Sequence, residues 1–326
     1  MKVCFVLAAV LIAAPACSSG SDVSDVSDQA GPGADTPQAP RTDCWGESSG
    51  PDGCAPIPQP DSQSPDVWDL APDMVAGVSG SVVDEAGKPI SGMFVQPCVY
   101  TETTESCLKA ISKDDGTWEV AVNPPRTIEG LHVRFVTNDY SAMACYYDFA
   151  ELPLENNIVH FEAPYKLYSM GELVEELDVP PVGPVTVEAE GLSFTVLPEE
   201  WFPGVFEPTS IKIRKLPVEF AGCFAGPGDE PDVLYALSPD WLGFSTVGGV
   251  PVTFDNELGL TAGASVTLYF LGALDATVRP IGGEPILLKT GQWYKLGQGT
   301  VSSDGKSIVS DEGAGLPWLG VVGYRK

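Results

Sequence analysis

From about residue 75 onward, apolar and polar positions alternate in short runs. Examples are Val78-Ser-Gly-Ser-Val-Val, Trp118-Glu-Val-Ala-Val, His132-Val-Arg-Phe-Val, Ser210-Ile-Lys-Ile-Arg and Ser265-Val-Thr-Leu-Tyr-Phe-Leu. Alternation with a period of two puts one set of side chains on a buried face and the other on an outer face, so each run predicts a strand. Gly, Pro, Asn and Asp punctuate the runs at close intervals, as turns require. Only Tyr168 to Leu177 carries a helical spacing. The pattern predicts an all-β chain of sandwich type. About 250 residues of it exceed what one sandwich needs and predict two consecutive ones, over residues 75–165 and 183–326. The linker between them is residues 166–182, with the join near the Pro-rich stretch Val179-Pro-Pro-Val-Gly-Pro184.

The pattern stops short of residue 75. Residues 18 to 73 are rich in Ser, Asp, Pro, Gly and Gln, with Arg41 as their one base. Such a segment cannot bury enough apolar surface to offset the entropy of ordering, so residues 17–74 are expected to form a disordered acidic linker. The repeated Ser-Asp-Val at residues 21–26 fits a solvated spacer better than a calcium loop. A flexible chain of about 55 residues has a root-mean-square reach of about 40 Å.

Residues 1–16 read differently again. Lys2 precedes an apolar run from Val3 to Ala14, the layout of a signal peptide. The run is shorter than the ~20 residues a membrane-spanning helix needs. Ala14-Pro15-Ala16 leads into Cys17-Ser18-Ser19-Gly20. This resembles the lipobox of bacterial lipoproteins. The resemblance implies removal of the leader, acylation of Cys17 with palmitate-type chains, and attachment to the membrane through that lipid. Several acyl chains supply the stable anchoring that one cannot. Ser18 after the cysteine, where such lipoproteins carry Asp for inner-membrane retention, implies the outer membrane and an extracytoplasmic body.

Charge narrows the partners. The chain has 45 acidic against 17 basic residues, a formal net charge of −28. Repulsion makes nucleic acid and anionic lipid surfaces poor partners. The expected partners are the membrane, through the lipid, and an envelope protein or glycan. Cysteine usage agrees with an oxidising compartment. Of eight cysteines, Cys4 lies in the leader and Cys17 at the anchor. Cys44 and Cys54 bracket a short polar loop and are placed to pair. Cys98 and Cys107 flank the turn Thr101 to Ser106 and could face each other across two strands. Cys145 and Cys223 would then form a long-range pair. No CxxC occurs and there are two histidines, so no zinc cluster or other metal site is expected, and no cofactor.

In the first module, Val78-Ser-Gly-Ser-Val-Val-Asp84 leads through Glu85-Ala-Gly-Lys-Pro89 into Ile90-Ser-Gly-Met-Phe-Val95. Ser112-Lys-Asp-Asp-Gly116 then turns into Thr117-Trp-Glu-Val-Ala-Val122. This order resembles the carboxypeptidase regulatory-like domain, matching at Gly80, Gly87, Pro89, Gly92, Val95, Asp115, Gly116 and Trp118, with Met93 and Ser112 where Ala and Thr are usual. The resemblance implies a transthyretin-like sandwich of seven or so strands, serving as a spacer or adhesive unit without peptidase chemistry. Asp115-Gly116 is suited to the positive φ of a tight hairpin, and Trp118 and Phe94 are expected in the core. Tyr140, Tyr146, Tyr147, His132 and His160 invite comparison with the two-Tyr, two-His iron site of intradiol dioxygenases. The H-x-H pair of that family is absent, and the two histidines read as strand residues, exposed or hydrogen-bonded.

In the second module, Leu197-Pro-Glu-Glu-Trp-Phe-Pro203, Val250-Pro-Val-Thr-Phe254 and Trp293-Tyr-Lys-Leu-Gly-Gln-Gly299 follow one another. Their order looks like the β-sandwich module of ankyrins and netrin receptors, which implies a binding or force-bearing unit. No histidine follows position 160, so no Ser-His-Asp or Cys-His set can form within this module. Gly297-Gln-Gly299 lacks the rest of a dinucleotide loop. The acid pairs Glu199-Glu200 and Asp229-Glu230 read as exposed turns rather than glycosidase carboxylates. Trp201, Trp241, Trp293 and Trp318 are candidates for a flat carbohydrate platform, against the alternative that they are core. The expectation is therefore a non-catalytic surface lipoprotein with a binding or structural role, or a carbohydrate-binding module.

Overall fold

The computed structural model describes residues 70–137, 139–141, 144–171, 175–176, 183–202, 210–223, 231–240, 242–273 and 276–326. The leader, Cys17, Cys44, Cys54, the acidic linker and Trp241 lie outside them. Val67–Lys326 forms one compact unit. Among the described residues no helix is long and apolar enough to cross a membrane.

The first part contains β1 (Met74–Val83), β2 (Phe94–Tyr100), β3 (Glu105–Cys107), β4 (Ala110–Ile111), β5 (Thr117–Thr127), β6 (Gly130–Val136), β7 (Ala144–Asp148), β8 (Leu154–Glu155), β9 (Ile158–His160) and β10 (Tyr165–Lys166). They form two five-stranded sheets. In one, β1 is paired with β5, β9 and β10; in the other the order is β3-β2-β6-β7, with β4 also on β2. Val78 and Val82 of one sheet meet Val95, Val99, Leu131, Val133 and Phe135 of the other in a single core with Trp118. The turn before β5 is made as its sequence dictates: Gly116 has φ 78°, and Asp115 Oδ1 accepts the Thr117 N–H at 3.0 Å. Phe94 departs from expectation. Alternation sends Met93 and Val95 inward, so Phe94 faces outward, half-buried, with Lys109 Nζ 5.5 Å from its ring centroid.

The second part contains β11 (Glu175–Glu176), β12 (Val185–Ala189), β13 (Leu192–Val196), β14 (Trp201–Phe202), β15 (Ser210–Leu216), β16 (Val233–Ser238), β17 (Gly243–Phe244), β18 (Val252–Asp255), β19 (Ser265–Leu271), β20 (Thr277–Val278), β21 (Ile286–Leu287), β22 (Trp293–Val301), β23 (Ser307–Ser310) and β24 (Val321–Arg325). Ten of these make one sheet in the order β11-β15-β16-β24-β19-β22-β23-β18-β13-β12. It rolls so that β12 returns to β15, and Phe194, Tyr235, Phe254, Leu268, Phe270 and Tyr324 from both halves share one core.

The central strand β16 is buried at every residue, because both of its faces are covered. Tyr235 and Leu237 enter the rolled core. Leu234 and Ala236 point the other way, into a smaller apolar cluster with Leu216, Phe220, Leu271, Val321, Tyr168 and Met170. The helical spacing at Tyr168 to Leu177 is thus misleading. Ser169 bridges Tyr140 as extended chain, and Glu175 and Glu176 pair with β15. The period that looked helical reflects Tyr168 and Met170 packing as a strand-like cover, two residues apart on one side.

Candidate functional site

The outward face of the β3-β2-β6-β7 sheet is polar in sequence and buried in the structure. On β6, Leu131, Val133 and Phe135 point into the first core, which directs His132 and Arg134 to the other side. The register aligns Cys107 with Cys98, Cys98 with His132, and His132 with Tyr146, a continuous row across four strands. The next row is Glu105, Tyr100, Gly130 and Asp148. A Cβ at Gly130 would lie 2.2 Å from Tyr146 Oη, so glycine there is what lets the phenol fold back across the sheet. Cys98 and Cys107 are joined by a disulfide.

The electrostatics follow from burial. His132 is 0% exposed, with Nδ1 2.7 Å from Tyr100 Oη. Desolvation first, then the charges of Arg134 and Lys289, pulls its imidazole down to about 3. It is therefore neutral at pH 7, and Glu105 Oε1 at 3.7 Å is not its ion-pair partner. Burial first, then Glu105, holds the Tyr100 phenol well above its ordinary range. Tyr146 is pushed up to about 12 by burial and then by Asp148.

The second part of the fold supplies the lid. Lys289 Nζ sits 3.6 Å from the Tyr146 ring centroid and 5.3 Å from that of Tyr100, a cation on two π faces. Gly291 accepts the Tyr146 N–H through its carbonyl at 3.3 Å. Its φ is 79°, and a Cβ there would meet Tyr146 N at 2.6 Å. Beside this contact, Arg134 Nε and Nη2 donate to the Asp240 carboxylate at 3.0–3.2 Å. Both partners are buried. Trp318 Nε1 donates to the Asp240 carbonyl at 2.8 Å. The seam is thus a fully desolvated forked ion pair, a cation–π clamp and an apolar cluster side by side.

At one end of the seam lies an open cleft of about 960 Å³. Tyr147, Phe161 and Tyr165 form its wall, with ring centroids 4.9 Å apart for the first two and 5.6 Å for the last two. Tyr147 Oη and Tyr165 Oη are 3.1 Å apart. Phe220 enters from the second part, and Glu151, Glu155, Glu162, Glu219 and Lys166 stand on the rim. Phe161 and Tyr165 are buried, so half-buried Tyr147 is the aromatic side chain a ligand can reach, under a ring of carboxylates that accept hydrogen bonds.

The sequence-derived candidates are distributed unevenly over this geometry. Cys98 and Cys107 are bonded as the turn between them suggested. Cys145, on β7 at the cleft, is also disulfide-bonded, and β7 lies against the 3-10 turn Val218–Cys223; the side chain of Cys223 is outside those described. Trp318 is 5% exposed and bonded to Asp240, so it is core and cannot present a platform. Trp201 is half-buried edge-to-face on Phe244 at 5.5 Å, and Trp293 packs on the cluster around Leu234. The five Tyr and His residues compared with an iron site do not form one cluster: Tyr140 packs against the first core. His132 and Tyr146 face the seam, Tyr147 faces the cleft, and His160 is exposed with Nδ1 2.9 Å from Ser79 Oγ. Arg134, Asp240 and Lys289 carried no motif; the one available signal was the polar residue at every second position of β6 between apolar ones.

No protein-family model matches the sequence, and no curated protein does. Among solved structures it is similar to a chlorocatechol 1,2-dioxygenase from Pseudomonas putida, at TM-score 0.23 and 10% identity over 31% of this chain and 62% of that one. A DUF3823 family protein from Parabacteroides merdae gives TM-score 0.21 and 8% identity over 77% and 98%. The major pilin subunit of Bacillus cereus gives 0.20 and 9% over 77% and 88%. Similarities this low say nothing of chemistry.

Proposed function

We propose that this chain is a non-catalytic protein of the cell envelope, lipid-anchored at Cys17 on the extracytoplasmic side of the outer membrane. Its two sandwiches act as one rigid body that offers the cleft to an envelope protein. The buried Arg134–Asp240 fork carries this reading. A seam that desolvates a charge pair beside a half-buried lysine holds the two halves in one orientation, which suits a scaffold or adhesive unit. The absence of any histidine after position 160 supports the non-catalytic part. The net charge of −28 argues against nucleic acid.

A second reading, glycan binding, is favoured by the partly exposed Tyr147 in the cleft wall, in place of the tryptophans. The test is capture from envelope extract and from envelope glycans on immobilised Cys17→Ser protein, with Tyr147→Ala as control. A single stoichiometric protein lost with Tyr147→Ala supports the scaffold reading, and glycan retention lost the same way supports the second. Retention of neither, or retention indifferent to Tyr147, sinks the role of the cleft. Palmitate labelling of the native chain that persists in Cys17→Ser would refute the anchor.

A further inference from the structure

The row Cys107–Cys98–His132, with Glu105 in the row beside it, has a property that disulfide bonding alone does not require. Two sulfurs, an imidazole nitrogen and a carboxylate oxygen all lie within 4.8 Å of one another. Two sulfurs, one nitrogen and one oxygen are a donor set of the tetrahedral zinc type. A second observation concerns the histidine. Its Nδ1 is held by Tyr100 Oη, while Nε2 is buried and has no hydrogen-bond partner among the described residues. A buried polar atom left unpaired is costly. A metal-ligating histidine is oriented through its second ring nitrogen; in His132, Nδ1 faces both Tyr100 Oη and, at 3.7 Å, Glu105 Oε1.

We propose that reduction of the Cys98–Cys107 disulfide opens a site for one divalent cation of the zinc class, with Cys98, Cys107, His132 and Glu105 as its ligands. The bonded form seen here is the closed state. Opening takes two electrons and two protons from a dithiol, which is itself oxidised to its disulfide, and leaves two thiols. The incoming metal then displaces both thiol protons. Cys107 is exposed, so a reductant can reach the bond from that side, while Cys98 is fully buried. The two cysteines are directly opposite on antiparallel strands, with their Cα atoms 3.9 Å apart. Metal–sulfur bonds of about 2.3 Å place two thiolates about 3.8 Å apart, a separation reached by rotating side chains with the strands in place. Two thiolates, one carboxylate and a dication sum to one negative charge, and Lys289 and Arg134 stand nearby to offset it. Linear spacing conceals the set, because only the strand register brings His132 beside Cys98.

The test is cobalt(II) titration of the full chain, oxidised and after anaerobic reduction with a phosphine, followed by zinc competition. The reduced protein is expected to take up one cobalt with a sulfur-to-metal charge-transfer band that zinc abolishes, and the oxidised protein none. Cys98→Ser/Cys107→Ser, which keeps every other cysteine, should lose that band. Glu105→Gln, at an exposed position, should weaken cobalt binding at least about tenfold while leaving the oxidised fold unchanged. Equal cobalt spectra in the reduced wild type and the double variant would overturn the proposal. Should the double variant fail to fold, unchanged affinity in Glu105→Gln would overturn it instead.

Discussion

The two faces of the β3-β2-β6-β7 sheet each have a buried centre and are chemically opposite. The inner face is Val95, Val99, Leu131, Val133 and Phe135. The outer face is Cys98, His132 and Arg134, also buried, under a lid from the second part of the fold. The inner face is stabilised by area removed from water and tolerates a change of shape as long as volume is kept. The outer face is stabilised by pairing, so removing one partner leaves the other stranded in a dry place. Neighbouring residues on one strand therefore fail for different reasons, and the difference shows that a polar face in a sandwich sequence can be a joint rather than a solvent face.

Arg134 and Phe135 are the sharpest pair. Arg134→Ala is expected to cost about 3–5 kcal/mol, because it leaves Asp240 buried and uncompensated. Phe135→Ala is expected to cost about as much by opening a core cavity. A solvent-facing Arg134 would cost well under 1 kcal/mol, so denaturant melts of the two variants decide between joint and surface. Replacing both ends of the fork, Arg134→Met with Asp240→Leu, should recover most of the loss, whereas no replacement partner rescues Phe135→Ala.

Smaller effects probe the lid. Gly291→Ala forces a left-handed residue onto a β-carbon, which costs about 1–2 kcal/mol, and drives that carbon into the backbone of Tyr146. The melt should show a loss of at least about 2 kcal/mol. Lys289→Met keeps the stem over Tyr146 and removes the cation, for an expected loss of about 0.5–2 kcal/mol that added salt does little to change. The exposed contact of Arg214 with Glu85, at 2.6 Å, also joins the two parts. Glu85→Ala there should cost below about 1 kcal/mol, and a larger loss would mean the seam is held from its rim.

Much of the fold was legible because alternation is a strong local signal. The strands around Val78, Trp118, His132, Ser210 and Ser265 form where their patterns put them, and the Asp115-Gly116 turn closes by its own chemistry. Phe94 was misjudged because its partners on either side, Met93 and Val95, share the inner face, and one position decides which of two alternating sets is inside. The cover formed by Tyr168 and Met170 was taken for helix because two apolar residues in a short run suit either period. The seam was invisible for another reason. Arg134 and Asp240 are 106 positions apart, and nothing local distinguishes a polar residue meeting water from one meeting a partner. Trp318 illustrates the same limit, since its aromatic character was evident and its burial against Asp240 was not.

If the two parts of the fold are one mechanical body, calorimetric unfolding of the Cys17→Ser protein with its disulfides intact treats them as a unit. A single transition is expected, with calorimetric and van't Hoff enthalpies in agreement, splitting into two when Arg134 is replaced by Ala. Two separate transitions in the protein with the fork intact would contradict it.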